Sequence, residues 1–402
     1  MKILYIGSIC NESEFEATNS RSKIKVSSAP QHFEAAILKG LSSVCDVELT
    51  CISAECIATY PNGSKFYLSE RTDDLDNDLT TKIAPAINLP FIKPKMHANA
   101  IGRMVEKWLR DNQSTIDKCV FLYGFYTAVA EKTFEICKKY GCKCFTMITD
   151  MPSVALTEHK GLKGYFKAKA REHAVKVQGL ADGYVFITKQ MADVVAPGKP
   201  FHVMEVLVDT SIVNNTECGN KQRALMYAGT LYKKYGIDTL IDVYEQLDTD
   251  FELWIMGAGD YEEEIKKKAE SNPMIKFFGV VSREEVMRRE QEASLLLNIR
   301  NPKDEYTKYS FPSKMIEYML SGTPVFTTKL PGFPADYDEH LYYNEEYTQE
   351  GLIRDLKNVL SLPEEELKEK GKRASEFVRN NKNCERQMSM MVEFIKSQLK
   401  KN

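Results

Sequence analysis

Residues 309–325 read YSFPSKMIEYMLSGTPV and combine residue types that could bind a phosphate and a sugar. Pro312 suits the first position of a helix, and a glycine and a proline follow to end it. The start of such a helix would direct free N–H groups at an anion, and Lys314 adds a full positive charge. Ser313 and Glu317 are four residues apart and share a face, so a hydroxyl could meet phosphate while a carboxylate accepts hydrogen bonds from sugar hydroxyls. The alternative is an ordinary capped surface helix.

The chain of 402 residues is longer than one hydrophobic core usually covers, so two domains are expected. Its net charge of -3 argues against a nucleic-acid-binding protein, which would need a basic surplus. No apolar stretch approaches the ~18 residues of a membrane span. Residues 1–7 are too short an apolar run for a signal peptide and predict a first strand.

The ten cysteines show no C-x-x-C pair, which favours free thiols in a reducing cytoplasm. Cys137, Cys142 and Cys144 are close in sequence, but no histidine is near enough to complete a metal site. Two D-x-D patterns, at 76–78 and 248–250, do not follow apolar strands as metal-binding pairs would. We therefore expect no metal.

Apolar runs of strand length alternate with helical patterns along the whole chain, which predicts an α/β protein with parallel sheets covered on both faces. A polar, Asn-rich stretch separates two such series. The predicted domains are 1–210 and 211–384, each Rossmann-like and doubly wound, followed by a closing helix at 385–402 that packs back on the first domain. Ligands of such domains bind at the carboxyl ends of the strands, so we expect the two to face each other across a cleft.

Four segments in series resemble the retaining GT-B glycosyltransferases known as family 4, in the branch that builds surface polysaccharides. They are YAGTLYKKYGIDTL at 227–240, IMGAGD at 255–260, FFGVV at 277–281, and the segment at 309–325. The first half is less diagnostic, with ITDMP at 148–152, YVFIT at 184–188 and MEVLVD at 204–209. Gly257 in the second segment could also serve only to shape a turn.

The resemblance implies that the second domain holds a UDP- or GDP-linked sugar as a substrate, with no separate cofactor. Phe278, Gly279 and Val280 would lie against the base, and Glu317 would bind the ribose hydroxyls. The diphosphate would lie against Gly229 and the helix start. The full set of nucleotide-binding candidates is Gly229, Thr230, Lys233, Lys234, Gly257, Phe278, Gly279, Val280, Tyr309, Phe311, Pro312, Ser313 and Glu317.

The chain departs from the family pattern at three charged positions. Thr230 and Tyr235 replace an Arg and a Lys that many members pair on the leaving diphosphate, and Tyr309 replaces the first Glu of an E-x7-E motif. Lys233, Lys234 or Lys314 must then supply the positive charge. We assign Lys314 to catalysis, because a positive field on the leaving diphosphate is the largest help that a protein can give.

The resemblance also places Asp150 where many members carry a catalytic histidine. Its carboxylate could bind acceptor or donor hydroxyls, although a turn or N-cap before Pro152 would explain it equally well. The long polar loop at 7–28 could turn its N–H groups toward phosphate.

Residues 159–178 hold six basic side chains against one acid, with apolar residues along one stripe. A basic amphipathic helix suits an enzyme that takes a polyprenyl-linked acceptor at the inner face of the membrane. The alternative is a solvated helix whose stripe packs on its own core. Residues 89–95, LPFIKPK, are a second candidate for lipid contact.

The sequence thus predicts a cytoplasmic glycosyltransferase that moves a sugar from a nucleotide donor to a glycan or lipid-linked acceptor. A nucleotide-sugar-binding subunit without activity and a GT-B-like nucleotide-sugar epimerase remain as alternatives.

Overall fold

The computed structural model describes residues 1–75, 79–124, 126–149, 151, 161–210 and 221–401. The chain divides into two compact units, one formed by Met1–Val208 with Cys384–Asn402 and the other by Asp209–Asn383.

The first unit is built on a sheet of eight strands in the order β10-β9-β8-β7-β1-β2-β5-β4. All neighbours are parallel except β4 and β5. Two further short strands, β3 and β6, pair with each other. The strands are β1 Lys2–Gly7, β2 Glu48–Ser53, β3 Tyr67–Leu68, β4 Arg71–Asp74, β5 Thr80–Ile83, β6 Ala86–Ile87, β7 Lys118–Tyr123, β8 Cys144–Ile148, β9 Gly183–Phe186 and β10 Phe201–Val203.

Helices cover both faces of this sheet, as parallel strands require. The helices are α1 Glu12–Ser20, α2 Ala29–Ser42, α3 Ile92–Asp111, α4 Thr127–Lys139, α5 Gly161–Gln178, α6 Gln190–Val195 and α13 Cys384–Leu399. Helix α13 packs on α2, while α3, α4 and α5 lie side by side. The connection from β1 through α2 to β2 moves one way along the sheet, and the connection from β7 through α4 to β8 moves the other way. Because such connections are right-handed, α2 and α13 lie on one face of the sheet and α3, α4 and α5 lie on the other.

The second unit has six parallel strands in the order β13-β12-β11-β14-β15-β16. Counted within the unit, this is the 3-2-1-4-5-6 order of a Rossmann sheet, whose ligand crevice lies between the first and fourth strands, here β11 and β14. The strands are β11 Gln222–Ala228, β12 Glu252–Met256, β13 Ile275–Gly279, β14 Ala293–Asn298, β15 Val325–Thr327 and β16 Tyr342–Tyr343. The helices are α7 Ile237–Glu245, α8 Glu262–Ser271, α9 Arg283–Glu292, α10 Lys314–Leu320, α11 Gln349–Leu360 and α12 Glu364–Asn381.

The predicted α/β class with two Rossmann-like units is confirmed, but several elements differ from the sequence prediction. The segment 7–28 is not one long loop, because α1 occupies its centre. The sequence pattern predicts the last strand of the first unit around 203–208, whereas β10 lies earlier, at Phe201–Val203. Residues 89–95 include the start of α3, a helix of 20 residues that the sequence pattern did not reveal.

Candidate functional site

Three loops at the carboxyl edge of the second sheet are joined through their backbones. The Gly229 N–H, just after β11, donates to the Met256 carbonyl at 3.0 Å, and the Gly257 N–H, just after β12, donates to the Gly279 carbonyl at 2.8 Å. The loops after β11, β12 and β13 therefore form one connected rim at the end of the sheet where ligands of this fold bind.

Close packing within this rim explains one of its predicted glycines, Gly257, but not Gly229. A Cβ on Gly257 would lie 1.8 Å from the Gly229 carbonyl oxygen, and Gly257 has a φ of 131°. A Cβ on Gly229 would make ordinary van der Waals contact with the Tyr227 side chain, whose hydroxyl oxygen would be 3.4 Å away. The protein's own packing therefore needs glycine at 257, but it does not need glycine at 229.

The crevice between β11 and β14 is lined by two loops that are tied together. A Cβ on Gly236, which ends the first loop with a φ of 80°, would lie 1.8 Å from the Ile299 carbonyl oxygen. The Tyr306 hydroxyl also donates to the Lys234 carbonyl at 2.6 Å. These contacts hold the loop after β11 against the loop after β14.

Arg300 lies at this crevice, and the sequence analysis missed it. Its guanidinium carbon is 4.6 Å from the centroid of the Tyr235 ring, and its Nε donates to the Asn298 side chain at 3.3 Å. Among the described residues no carboxylate pairs with it. Arg300 follows the strand LLLNI with no flanking motif, so only the strand order brings it beside Tyr235.

The two predicted lysines of the first loop lie on aromatic rings. The Lys233 Nζ is 5.1 Å from the Tyr261 ring, and the Lys234 Nζ is 5.1 Å from the Tyr232 ring. Thr230 is exposed beside them, and its backbone carbonyl accepts the Tyr227 hydroxyl at 2.9 Å.

The loop after β13 presents backbone and one exposed side chain. The Phe278 ring is covered by Arg289, whose guanidinium carbon is 3.8 Å from the ring centroid. Gly279 has a φ of 65°, and Val280 is 78% exposed. A base seated here would meet the backbone of 278–280 and the Val280 side chain, since the Phe278 ring is already occupied.

Helix α10 begins at Lys314, two residues later than the sequence predicts, and has seven residues. The N–H groups of Met315 and Ile316 donate to carbonyls three residues earlier, so the first turn is tight. The side chains of Phe311 and Pro312 are buried, with the Phe311 ring packed on Phe333 and Tyr337, whereas Ser313 is exposed. The predicted anion-binding end is thus reduced to the backbone near Ser313 and Lys314.

Lys314 and Glu317 form an ion pair along α10. Both side chains are part-exposed. The two charged groups that the sequence assigns to the nucleotide are therefore paired with each other in the structure. Tyr309, the third predicted polar group here, is half-buried and ends a short 3₁₀ helix at Glu305–Lys308.

A buried carboxyl lies in the electrostatic field of this pair. Glu290, on α9, is 1% exposed, and its Oε1 has no hydrogen-bond partner among the described atoms. Burial raises its pKa to about 8, with Lys314 opposing and Glu317 adding to the shift.

Tyr318, next to Glu317, ties α10 to the end of β11. Its hydroxyl accepts a hydrogen bond from the Ala228 N–H at 2.7 Å and donates one to the Ala228 carbonyl at 3.0 Å. Neither Tyr318 nor Glu290 was predicted from the sequence, and Glu290 lies in a run of charged residues that is typical of an exposed helix.

A family model describes most of the unit that carries these loops. Residues 210–378 match the family described as glycosyl transferases group 1. After this similarity, we call residues 210–378 the glycosyltransferase domain. The match covers less than half of the chain, and no curated protein sequence matches it.

Solved structures similar to the whole chain include two named transferases and a nucleotide complex. The sucrose-phosphate synthase of Thermosynechococcus elongatus is 13% identical over 100% of both chains, with a TM-score of 0.61. The lipopolysaccharide outer core galactosyltransferase WaaB, in its apo form, is 14% identical over 99% of this chain and 100% of its own, with a TM-score of 0.58. Anabaena HepE in complex with UDP and glucose is 13% identical over 99% and 100%, with a TM-score of 0.59.

These similarities show that the fold is GT-B, as the sequence predicts. The glycosyltransferase domain and the GT-B fold together support an enzyme that transfers glycosyl groups.

Outside the glycosyltransferase domain, the carboxyl end of β1 is held by buried side chains of α2. The Ser8 N–H donates to the Glu34 carboxylate at 2.9 Å, and the Tyr5 hydroxyl donates to it at 3.1 Å. Glu34 is fully buried, which raises its pKa to about 7. The Gln31 amide oxygen accepts the Cys10 N–H at 3.1 Å. The loop after β1 is therefore held in place and is short before α1 begins.

Asp150, the predicted acceptor-side carboxylate, lies outside the described residues.

The described residues contain no group of three His, Cys, Asp or Glu side chains arranged for a metal ion. Asp248 and Asp250 precede β12, at the opposite edge of the sheet from the joined loops, and Asp250 pairs with Arg223. The other D-x-D pattern, at 76–78, is outside the described residues. Cys137, Cys142 and Cys144 are free and buried, and the pKa of each thiol is raised. Hydrogen bonds among the three thiols are the largest causes at Cys137 and Cys142, and burial is the largest cause at Cys144.

The predicted basic helix forms, as α5, but its apolar stripe is divided. Ala174 and Val177 are buried in the first unit, whereas Phe166 and Ala170 are exposed. No described helix combines the length and apolar character that crossing a membrane requires.

Proposed function

We propose that this protein is a glycosyltransferase that moves a sugar, with retention and without a metal ion, from a nucleoside-diphosphate donor to a glycan or lipid-linked acceptor. It would belong to family 4 of the GT-B enzymes and to the branch that builds surface polysaccharides. The observation that carries the proposal is the 3-2-1-4-5-6 sheet of the glycosyltransferase domain. The loops after its first three strands are joined around Gly229, and Lys314 and Glu317 form an ion pair on α10, the helix that follows β14.

The nucleotide would bind along the joined loops. Its base would lie at residues 278–280, where backbone groups and the exposed Val280 side chain are available. Its ribose would take the Glu317 carboxylate, since a carboxylate accepts two hydrogen bonds from neighbouring hydroxyls. Binding would then separate Glu317 from Lys314 and free the ammonium for the diphosphate.

Charge on the leaving diphosphate would come from Lys314 and Arg300. The family's Arg and Lys positions are Thr230 and Tyr235 here, and the Arg300 guanidinium lies 4.6 Å from the centre of the Tyr235 ring. A guanidinium binds two phosphate oxygens at once, so it can replace a missing lysine. Because Gly229 has no Cβ, the diphosphate would approach the backbone there closely.

We infer a UDP- or GDP-linked donor, with UDP favoured because the structural neighbour HepE is a complex with UDP and glucose. The acceptor would bind the first unit, with Asp150 on its hydroxyls. The protein would work in the cytoplasm, and residues 159–178 would bring it to the inner face of the membrane.

A donor screen tests the proposal. Purified protein would be mixed with UDP, GDP and their common sugar conjugates, and thermal unfolding would be followed for each. A donor present at a hundred times its dissociation constant should stabilise the fold by ~2.7 kcal/mol. Slow release of free nucleotide from the same donor would support a transferase.

An inactive nucleotide-sugar-binding subunit is the second candidate, favoured by the replaced positions Thr230, Tyr235 and Tyr309. It predicts binding without turnover under any acceptor. An epimerase would instead convert the donor to an isomer, so chromatography of the products separates all three functions.

A further inference from the structure

Arg300 is surrounded by three side chains of the glycosyltransferase domain. Its Nε donates at 3.3 Å to the side chain of Asn298, a residue that is only 4% exposed. Its guanidinium carbon lies 4.6 Å from the centroid of the Tyr235 ring. Burial raises the pKa of Tyr306 to about 12, and the nearby Arg300 opposes this rise. The guanidinium is therefore held by an amide, an aromatic ring and a phenol.

Tyr235 is itself packed between two other tyrosines. The centroid of its ring is 5.8 Å from that of Tyr232, with 29° between the ring planes. The Tyr306 ring meets Tyr235 at 62°, with the centroids 6.2 Å apart. All three side chains are part-exposed. We call Tyr232, Tyr235 and Tyr306 the tyrosine cluster, and its packing fixes the ring that Arg300 contacts.

The backbone at Arg300 is fixed as well as the guanidinium. Met226 of β11 pairs with Leu296 of β14, so the chain after β14 leaves the sheet beside the chain after β11. A Cβ on Gly236 would lie 3.4 Å from the Cα of Arg300. The Tyr306 hydroxyl crosses between the two loops and donates to the Lys234 carbonyl at 2.6 Å. The tyrosine cluster thus holds both loops around Arg300.

A ring contact leaves the hydrogen-bond donors of Arg300 usable. The five N–H donors of a guanidinium lie in its plane, whereas an aromatic ring packs on its face. Asn298 takes the Nε donor, and the terminal amino groups keep theirs. Lys314 differs, because its ammonium is paired with Glu317 and must leave that carboxylate before it can meet a phosphate.

The strand order places Arg300 beyond the proposed positions of the base and the first phosphate. The sheet runs β13-β12-β11-β14, and the proposed base site at 278–280 follows β13. Gly229 follows β11, and Arg300 follows β14. A nucleoside diphosphate that extends from the base across Gly229 would therefore bring its second phosphate to Arg300.

We propose that Tyr235 and Tyr306 are positioning residues that hold the Arg300 guanidinium for the second phosphate of a nucleoside diphosphate. This rests on the proposed function, because it takes the nucleotide to lie along the joined loops. A long side chain that is ordered before binding loses less entropy when the ligand arrives. Its planar N–H groups can then bind two phosphate oxygens at once.

The affinity ratio between UDP and UMP tests the proposal on the full chain, with GDP and GMP as the second pair. Calorimetric titration of the wild type should show the diphosphate bound about tenfold to a hundredfold more tightly, as charge-assisted hydrogen bonds predict. Tyr235→Leu should lower this ratio about fivefold, through loss of the ring under the cation, without changing the affinity for UMP. Tyr235→Phe keeps the ring and should keep the ratio.

Tyr306→Phe is a milder variant that removes only a hydroxyl. It should lower the ratio about threefold, the effect of one hydrogen bond at the low end of the usual range. Thermal unfolding checks that each variant is folded. If Tyr235→Leu does not fold, Tyr306→Phe and Tyr235→Phe still decide the question, since a wild-type ratio in Tyr306→Phe or a lowered one in Tyr235→Phe would overturn the proposal.

A double-mutant cycle separates positioning from a general effect on the loop. Arg300→Ala should lower the ratio at least as much as Tyr235→Leu does. Adding Tyr235→Leu to Arg300→Ala should then change the ratio no further, because Tyr235 acts only through Arg300. Losses that multiply in the double variant would overturn the proposal.

Tyr342→Leu is the matched control in the same domain. The Lys370 Nζ lies 4.9 Å from the Tyr342 ring centroid, a cation–ring contact like that of Arg300, but Tyr342 is on β16 at the outer end of the sheet. This variant should keep the wild-type ratio, and a ratio lowered as in Tyr235→Leu would overturn the proposal.

Binding of the monophosphates separates this proposal from the proposed function. Wild-type protein that binds UMP and UDP equally, or Tyr235→Leu with a wild-type ratio, would reject the positioning role and leave nucleotide binding in place. Wild-type protein that binds none of the four nucleotides would reject the proposed function and this inference together.

Discussion

The carbonyl oxygen of Gly229 stands 1.8 Å from the position that a Cβ on Gly257 would occupy. The two glycines come from different strands and are joined through the rim of the second sheet. Gly257 is needed by the protein's own packing, whereas a Cβ on Gly229 would make an ordinary contact with the Tyr227 side chain. Substitution should therefore separate a structural from a ligand-related requirement.

Gly257→Ala should destabilise the second unit by about 2–4 kcal/mol, the combined effect of overpacking and a strained backbone. Gly229→Ala should change the free energy of unfolding by less than about 1 kcal/mol, since its Cβ would make an ordinary contact with Tyr227, yet it should weaken donor binding. Urea unfolding and donor titration of both variants check this. Equal destabilisation by the two would contradict the assignment.

Glu317→Ala should weaken nucleotide binding by about 1–3 kcal/mol through the loss of charge-assisted hydrogen bonds to the ribose. Calorimetric titration measures the affinity, and Glu263→Ala, an exposed acid paired with Lys266 on α8, serves as the control. Unchanged affinity in a folded Glu317→Ala protein would remove the ribose role.

Arg300→Ala should lower kcat/KM about tenfold to a hundredfold, because one charged donor to the leaving diphosphate is lost. Arg288→Ala is the matched control, since Arg288 is exposed on α9 and binds Glu285 and Glu292. If Arg300→Ala keeps the activity of the control, Arg300 does not stabilise the leaving diphosphate. That role would then fall to Lys233, Lys234 or Lys314.

The stability of the second unit should depend on pH through Glu290. Its pKa in the folded protein is about 8, above the usual 4.5, so the folded state holds this proton more tightly than the unfolded state. The resulting stabilisation is complete below about pH 4.5 and is lost as the pH rises to about 8, by up to ~1.4 kcal/mol per pH unit.

Glu290→Gln should therefore flatten the fall in unfolding free energy between pH 5 and pH 8 relative to wild type. Urea unfolding across this range measures the difference, with Glu292→Gln, at a part-exposed acid at the end of α9, as the control. Because Glu34, with a pKa of about 7, adds a parallel contribution from the first unit, the comparison between variant and wild type is the informative quantity. Identical pH profiles would show that Glu290 does not titrate as stated.

The sequence alone determined the class of the fold. Strand-length apolar runs at Cys144–Ile148 and Glu252–Met256 predict strands, and the structure has strands at these residues. The signal is strong because buried parallel strands consist of nearly continuous apolar residues. It also predicted the helix that carries Lys314 and Glu317 from local spacing, although α10 begins two residues later than predicted. Helix α3 was missed, because its mixed polar and apolar residues follow a turn at Phe91 that only the folded chain reveals.

Other features were decided only by the tertiary structure. Arg300 reaches Tyr235 because β14 pairs with β11, a contact between residues 65 positions apart in the sequence that no local pattern encodes. Glu290 is buried because α9 packs against β11 and β14, although it lies in a charged run. The stripe on α5 is divided as well, because folding buries Ala174 and Val177 and leaves Phe166 and Ala170 exposed. The spacing of apolar residues in the sequence shows which side chains could be buried. Contacts between segments that are distant in the sequence decide which of those side chains are buried in the folded protein.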